Sequence, residues 1–175
     1  MGVGLNLTLL SHFGSRLVAG NLGYLLNNGI MWFDPRPGKP NSVAAGAKAL
    51  ANMAPMMVTD DSGLRLVCGA SGGRRILAAV PQVVHAFLAE GLRLQDAIER
   101  PRIDFSELPI GADPRLGTEI LDKLALTGLE VTRKPPHFAT NGYGSVVAAA
   151  RTTDGWYESG VDPNSLGEAR AVNPA

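Results

Sequence analysis

The stretch from Leu64 to Ile76 constrains the fold more than any other, because an apolar run breaks into glycines and then resumes at helical spacing. Leu64, Leu66, Val67 and Cys68 predict a mostly buried strand. Ile76, Val80, Val83, Val84, Phe87 and Leu88 follow at i, i+4, i+7, i+8, i+11 and i+12, one apolar stripe on a helix ending near Gly91. A strand, a glycine turn and a helix therefore come in succession. Glycines at such a turn permit positive φ and the close approach of another group, and the first N–H groups of the helix have no partner within it. They are placed to hold an anion, or the oxygen of a carbonyl under attack.

Three chemistries compete for this turn, beside the plain reading that Gly72 and Gly73 only make it tight. A phosphate loop fits worst, since there is no G-x-x-x-x-G-K-[ST] and the second glycine of G-x-G-x-x-G is absent. Gly69-Ala70-Ser71-Gly72-Gly73 matches G-x-S-x-G, the nucleophile elbow of α/β-hydrolases. Asp104, Asp113 or Asp122 and then His137 follow Ser71 in the order such a triad requires. Against an elbow, the region before Leu64 is mostly Gly, Pro and Asn rather than βαβ units, and no HGGG-type segment precedes it. In the third chemistry Gly72 and Gly73 form an oxyanion hole whose nucleophile lies elsewhere, and Ser71 is the polar residue opening the helix, its hydroxyl available to cap the N–H groups left unpaired there.

Along the rest of the chain, Val3, Leu5, Leu7 and Leu9 alternate with Gly4, Asn6 and Thr8, which predicts a half-buried strand. Residues 11 to 53 are rich in glycine, proline and asparagine and read as a lid or loop region within a single domain spanning 1 to 175. Within it Ile30, Met31, Trp32 and Phe33 form an apolar patch. Ala54 to Thr59 and Leu64 to Gly69 flank the turn Asp60-Asp61-Ser62-Gly63 and predict a hairpin. Pro81 is expected to kink the long helix. A short helix from Leu94 to Arg100 stops at Pro101, and Asp113-Pro114 should cap a third helix carrying Leu116, Ile120, Leu121 and Leu124 to Gly128. Leu129 to Arg133 and Gly144 to Arg151 read as strands, and Thr153-Asp154-Gly155 turns the second into Trp156 to Val161. Hairpins, then helices, then a strand and a hairpin indicate a layered α+β fold of antiparallel sheets, not a parallel sheet.

Charge and cysteine usage exclude several function classes. Sixteen basic and sixteen acidic residues cancel, which leaves no electrostatic footprint for nucleic acid or an anionic membrane. No run approaches the ~18 apolar residues of a spanning helix, and the first six residues carry no signal-peptide pattern, so no membrane partner is expected. Cys68 stands alone, which rules out an internal disulfide and a cysteine-based zinc site, and it reads as a small core residue. His12, His85 and His137 are too scattered in sequence to suggest a metal site. Neither a metal nor a cofactor is expected. Disorder is expected only at 169 to 175.

Five motifs then stand in one order: Leu25-Leu26-Asn27-Asn28, Met53-Ala54-Pro55, Gly69 to Ile76, Ala97-Ile98-Glu99-Arg100-Pro101-Arg102 and Asp162-Pro163. In this order and spacing the chain resembles the small subunit of the γ-glutamyltransferase (γ-glutamyltranspeptidase) family over nearly its whole length. The resemblance implies an αββα sandwich of the N-terminal-nucleophile hydrolase type, incomplete without its large subunit. It implies acyl transfer or hydrolysis at a γ-glutamyl amide such as that of glutathione, by an amino-terminal threonine. By the same resemblance Gly72 and Gly73 form the oxyanion hole, and the Thr8 hydroxyl positions the nucleophile. The large subunit of the same precursor and a small-molecule amide are the implied partners.

The family's nucleophilic threonine lies upstream of a point that Met1 only just precedes, so this chain reads as an incomplete catalytic half. The family positions that hold the glutamyl amino and carboxylate groups correspond to Leu10, Gly29, Trp32, Ala51 and Asn52. Four of these five lose a polar group, and only Asn52 keeps a donor for a carboxylate. Two alternatives follow: an amidase or acylase of the same fold taking a glutaryl-type acyl group, and a truncated or partner-binding chain without catalysis. The pair Arg74-Arg75 opposes the macrodipole at the helix start, which suggests that one of them faces an anion or an acidic partner.

Overall fold

The structure, a computed structural model, describes residues 1–136 and 142–170. His137 and the end of the tail, 171 to 175, lie outside the described residues. The chain divides into two compact units, Met1–Asn6 with Asn52–Ala175, and Leu7–Ala51.

The first unit is built on the predicted hairpin. Strand β1 (Met56–Asp60) pairs antiparallel with β2 (Gly63–Ser71), which pairs with β6 (Ser145–Arg151), which pairs with β7 (Tyr157–Val161), giving the order β1-β2-β6-β7. The register sets Leu66 opposite Ala150, Cys68 opposite Ala148 and Ala70 opposite Val146, so these six share one face of the sheet. Helix α1 (Ile76–Leu88) lays Ile76, Ala79, Val80, Val83 and Ala86 on that face, and all five are buried. Each large aliphatic side chain so buried contributes about 1.5–3 kcal/mol. The helix runs on through Pro81, which is exposed, and the Leu77 carbonyl left without a proline N–H belongs to an exposed residue that water can reach.

Helix α2 (Leu94–Glu99) covers the β7 end of the same face. Its Gln95 side chain donates to the Val161 carbonyl at 2.9 Å and accepts the Val161 N–H at 3.0 Å, while the Leu94 N–H donates to Glu158 Oε2 at 3.1 Å. Gly160 has to be bare there, since a β-carbon would lie 2.6 Å from the Ile98 side chain. A smaller sheet in the order β3-β4-β5 joins Ile103–Asp104, Ile110–Ala112 and Val131–Arg133, with β4 and β5 parallel. Gln82 of α1 ties that sheet down by exchanging two hydrogen bonds with the Ile103 backbone, at 2.8 and 3.0 Å.

Two expectations need correction. The helix from Asp113 to Gly128 is split: Asp113 caps only a short 3-10 turn, Pro114–Leu116, by accepting the Arg115 N–H. Gly117 then breaks the path at φ 83, and α3 runs from Thr118 to Ala125, with Lys123 paired to Glu119 at 2.8 Å. The expected strand at Val3 to Leu9 forms no ladder, and its alternation faces the opposite way. Gly2, Gly4 and Asn6 turn toward β2 while Val3 and Leu5 are 75% and 74% exposed. The reason is steric: a β-carbon on Gly2 would stand 2.3 Å from the Leu64 side chain, and one on Gly4 3.2 Å from Val67. Only the glycine side can approach the sheet.

The second unit holds two 3-10 turns, Gly20–Leu22 and Gly29–Trp32, and two isolated bridges, Val18 with Leu25 and Asp34 with Ser42. Among the described residues no helix is long and apolar enough to cross a membrane.

Candidate active site

The glycine turn leaves the C-terminal end of β2 and enters α1 through a single 3-10 turn, Gly73–Arg75. Gly72 sits at φ 133 and Gly73 at φ 67, conformations that favour glycine over any side chain. No turn or loop hydrogen bond among the described residues uses the N–H of either glycine. The Asn52 side-chain amide stands beside them, 3.7 Å from where a β-carbon on Gly73 would be. Two adjacent N–H groups in a turn leading into a helix, without a partner among the described residues and with a carboxamide next to them, can hold a carbonyl oxygen as it gains negative charge.

The turn is anchored from behind. Arg75 Nε donates to the buried Asp104 at 3.2 Å, so the second arginine of the pair has its counter-charge within the chain. Gly144, at φ 73, lets β6 begin against the helix start, since a β-carbon there would lie 3.0 Å from Ala79 and 3.3 Å from the Arg75 carbonyl. Sequence reasoning missed the group that fixes Gly144. Arg102 NH2 donates to Asp162 Oδ2 at 2.7 Å and to the Gly144 carbonyl at 3.0 Å, and its Nε donates to the Tyr143 carbonyl at 3.3 Å. The two side chains are 7% and 5% exposed, and burial pulls Arg102 below its ordinary range. The Tyr143 hydroxyl donates to the Lys134 carbonyl, and burial pushes it up. Arg102 and Asp162 both lie in motifs noticed in the sequence; their separation of 60 residues hid the pairing.

Ser71 ends β2, exposed and opposite Ser145. Its hydroxyl makes no hydrogen bond among the described residues, and Gly72 occupies the cap position, so an N-capping role for Ser71 does not hold. β2 is antiparallel to both neighbours, whereas a nucleophile elbow follows a strand of a parallel-type α/β sheet, so the triad reading loses its scaffold. Cys68 is a core residue, its thiol pushed up to about 11 by burial. His12 and His85 are exposed, and no group of metal-ligating side chains occurs among the described residues.

Of the predicted site residues, Gly72, Gly73 and Asn52 come together in the first unit. Thr8, Leu10, Gly29, Trp32 and Ala51 belong to the second. There Thr8 Oγ1 accepts the Leu10 N–H at 2.9 Å, which leaves the hydroxyl proton free to donate elsewhere. The Asn28 N–H donates to the Leu9 carbonyl at 3.0 Å, bringing the Leu10 and Gly29 segments side by side. The Trp32 ring lies 3.4 Å from the position of a Gly29 β-carbon, and Ala51 is exposed.

Comparison with known proteins decides the family. The model of the gamma-glutamyltranspeptidase family matches residues 1–172. The chain belongs to the gamma-glutamyltranspeptidase family. It is 30% identical to the glutathione hydrolase proenzyme of Escherichia coli (strain K12), over 97% of this chain and 30% of that protein. It is 28% identical to the Acylase ACY 1 proenzyme of Pseudomonas sp. (strain V22), over 73% of this chain and 23% of that protein. The chain thus spans less than a third of these curated relatives, both of which are proenzymes. Among solved structures, an active mutant of the gamma-glutamyltranspeptidase from Pseudomonas nitroreducens superimposes with a TM-score of 0.78 at 27% identity, over 98% of this chain and 93% of that one. The α+β fold is accordingly that of the N-terminal-nucleophile hydrolases within the gamma-glutamyltranspeptidase family.

Proposed function

We propose that this chain supplies the carbonyl-polarising part of an enzyme that hydrolyses or transfers an acyl group at an amide of the γ-glutamyl type, of which glutathione is the reference. One observation carries the reading: the adjacent N–H groups of Gly72 and Gly73, which have no partner among the described residues, at positive φ in the turn that leads into a 13-residue helix. An amino-terminal hydroxyl gives its proton to its own amine and adds to the amide carbon, and the carbonyl oxygen becomes an oxyanion between the two N–H groups. Collapse breaks the C–N bond as the ammonium returns a proton to the leaving amine. Water or a second amine then attacks the ester. The Thr8 hydroxyl, which accepts the Leu10 N–H, keeps a proton to donate to the nucleophile oxygen.

The rest of the same precursor covers the outer face of the larger sheet in this reading. That face carries Val67, Val147 and Ala149, with Met57 and Val147 exposed, and a groove of about 550 Å³ lies along it. An acylase acting on an acyl group without an amino group is a second reading, favoured by Leu10, Gly29 and Trp32. The test of the shared mechanism is Gly73→Val in the mature enzyme, with release of p-nitroaniline from γ-glutamyl or glutaryl anilides as the readout. A β-branched residue at φ 67 displaces the N–H, and turnover should fall by ~10²-fold or more. Turnover within a few-fold of wild type would remove Gly73 from the oxyanion site.

A further inference from the structure

The pair Arg74-Arg75 stands where a helix start disfavours positive charge, and the structure separates its two members. Arg75 is partly buried and has its counter-charges within the chain, Asp104 at 3.2 Å and Glu107 at 3.8 Å. Arg74 is exposed, and its guanidinium makes no hydrogen bond or ion pair among the described residues. No acidic residue stands in the 3-10 turn Gly73–Arg75 or in the first turn of α1 to balance it. Over the whole chain acidic residues are as numerous as basic ones, so this positive charge is not the by-product of a basic composition. It is local to the turn.

A charge placed against the macrodipole, with nothing beside it to pair with, calls for an anion that the described residues do not supply. Arg74 follows Gly72 and Gly73 directly, which tethers its guanidinium next to the N–H pair that takes the carbonyl oxygen. A planar fork of donors at that place matches both oxygens of a carboxylate arriving with the amide. On the acyl side a neutral donor already stands beside Gly73 in the Asn52 side chain. The amine half of the amide has no donor assigned to it, and Arg74 is the cation of the turn left without a counter-charge. All of these residues belong to the first unit.

We infer that Arg74 is a specificity-determining residue for the amine half of the substrate, pairing with a carboxylate at the far end of a peptide-like leaving group. The enzyme then favours amides of carboxylate-terminated amines over their neutral counterparts. The inference rests on the oxyanion role proposed for Gly72 and Gly73 and names the class of amine that departs. Arg74 does not touch the reacting atoms. Its pairing is between solvent-exposed groups, so salt screens it.

The test takes the mature enzyme and one acyl group, γ-glutamyl or glutaryl, whichever gives the faster cleavage as its p-nitroanilide. That group is joined to alanylglycine and to alanylglycinamide, two amine halves that differ only in the charge at the far end. Wild type should favour the carboxylate form in kcat/KM by roughly threefold or more at low salt, and the preference should shrink as ionic strength rises. Arg74→Gln should abolish the preference, Arg74→Glu should reverse it, and Arg74→Lys should keep part of it, since the charge survives without the fork. The readout is a ratio between two substrates, so a general disturbance of the turn cancels. No preference in wild type, or the same preference in Arg74→Gln, would overturn the inference and leave the amide chemistry standing. Equal loss on both substrates would also overturn it, by placing Arg74 on the oxyanion itself. So would an unmoved ratio with a lower yield of mature enzyme, which would give Arg74 its counter-charge from the rest of the precursor. Cleavage of a p-nitroanilide but of neither peptide amide would overturn it as well. Cleavage of no anilide and no peptide amide would overturn the amide reading, and the inference with it.

Discussion

Removing Asp162 should be among the most damaging single changes to this fold. Arg102 and Asp162 are almost wholly buried, and the guanidinium also serves the carbonyls of Tyr143, Gly144 and Ile98. Asp162→Ala leaves those three dipoles in place and takes away the counter-charge. A buried charge stripped of its partner costs about 3–5 kcal/mol. For a domain of this size each kcal/mol moves Tm by about 2–4 °C, so the expected drop is roughly 6–20 °C. Asp162→Asn should cost less, because its carbonyl can still accept one Arg102 bond and cap Asn164, whose N–H donates to Asp162 Oδ1 at 2.9 Å. Arg102→Leu with Asp162→Leu removes both charges and leaves only unpaired carbonyls, each worth about 1–3 kcal/mol. The double variant should therefore be less damaged than the two single losses added together, by about 1–3 kcal/mol. Urea unfolding followed by far-ultraviolet circular dichroism measures wild type, Asp162→Ala, Asp162→Asn, the single variants Arg102→Leu and Asp162→Leu, and the double variant. A loss below about 1 kcal/mol for Asp162→Ala, or additivity within about 0.5 kcal/mol, would refute the reasoning.

Three further outcomes are expected from the same structure. Gly144→Ala puts a β-carbon at φ 73 within 3.0 Å of Ala79, and should cost roughly 1–3 kcal/mol in the same urea assay; a neutral result would mean that β6 can shift away from α1. Ser71→Ala should stay within about 0.5 kcal/mol of wild type, since the hydroxyl caps nothing; a loss above about 1 kcal/mol would restore a capping role. The Cys68 thiol, raised from 9.0 to about 11 by burial, favours the folded state fully below pH 9, and this contribution is lost as pH climbs from 9 through 11. Cys68→Ala should flatten stability measured across that window, and an unchanged alkaline slope would contradict it.

Much of the first unit was legible because its signals are local. The hairpin turn at Asp60 to Gly63, the stripe from Ile76 to Leu88 and the apolar run from Leu64 to Cys68 each occupy one contiguous segment, and each appears where expected. Gly117 was different, since a glycine inside an apolar stripe shows a weak point in a helix without showing that the chain breaks there. The smaller sheet escaped notice because β3 and β4 have two and three residues, too few for a period to register. Of the site, the glycine turn was readable from the break between the apolar run and the helical stripe, while its oxyanion role was implied only by the family resemblance. The Arg102 to Asp162 and Arg75 to Asp104 pairs were not readable, since a charged residue read singly looks like a solvated surface.

The inverted strip at Met1–Asn6 joins the fold to the chemistry. Alternation of period two identifies two faces of an extended segment without saying which one meets the sheet, and hydrophobicity alone would choose Val3 and Leu5. The glycines win because β2 already presents bulky Leu64 and Val67, so backbone-to-side-chain approach is possible only where no β-carbon intervenes. The strip ends on the last residues of β2 before the glycine turn: Asn6 Nδ2 donates to the Ala70 carbonyl at 3.4 Å, and its Oδ1 fits over bare Gly69, where a β-carbon would be 2.5 Å away. The carbonyl it reaches is two residues before Gly72. Val3 and Leu5, facing away from the sheet, would each gain about 1.5–3 kcal/mol on burial. A segment that is flat on one side and apolar on the other is suited to lie between two layers. In the proposed enzyme that makes covering the outer face and steadying the oxyanion turn a single event, which ties the glycine pair to the assembly of the rest of the precursor.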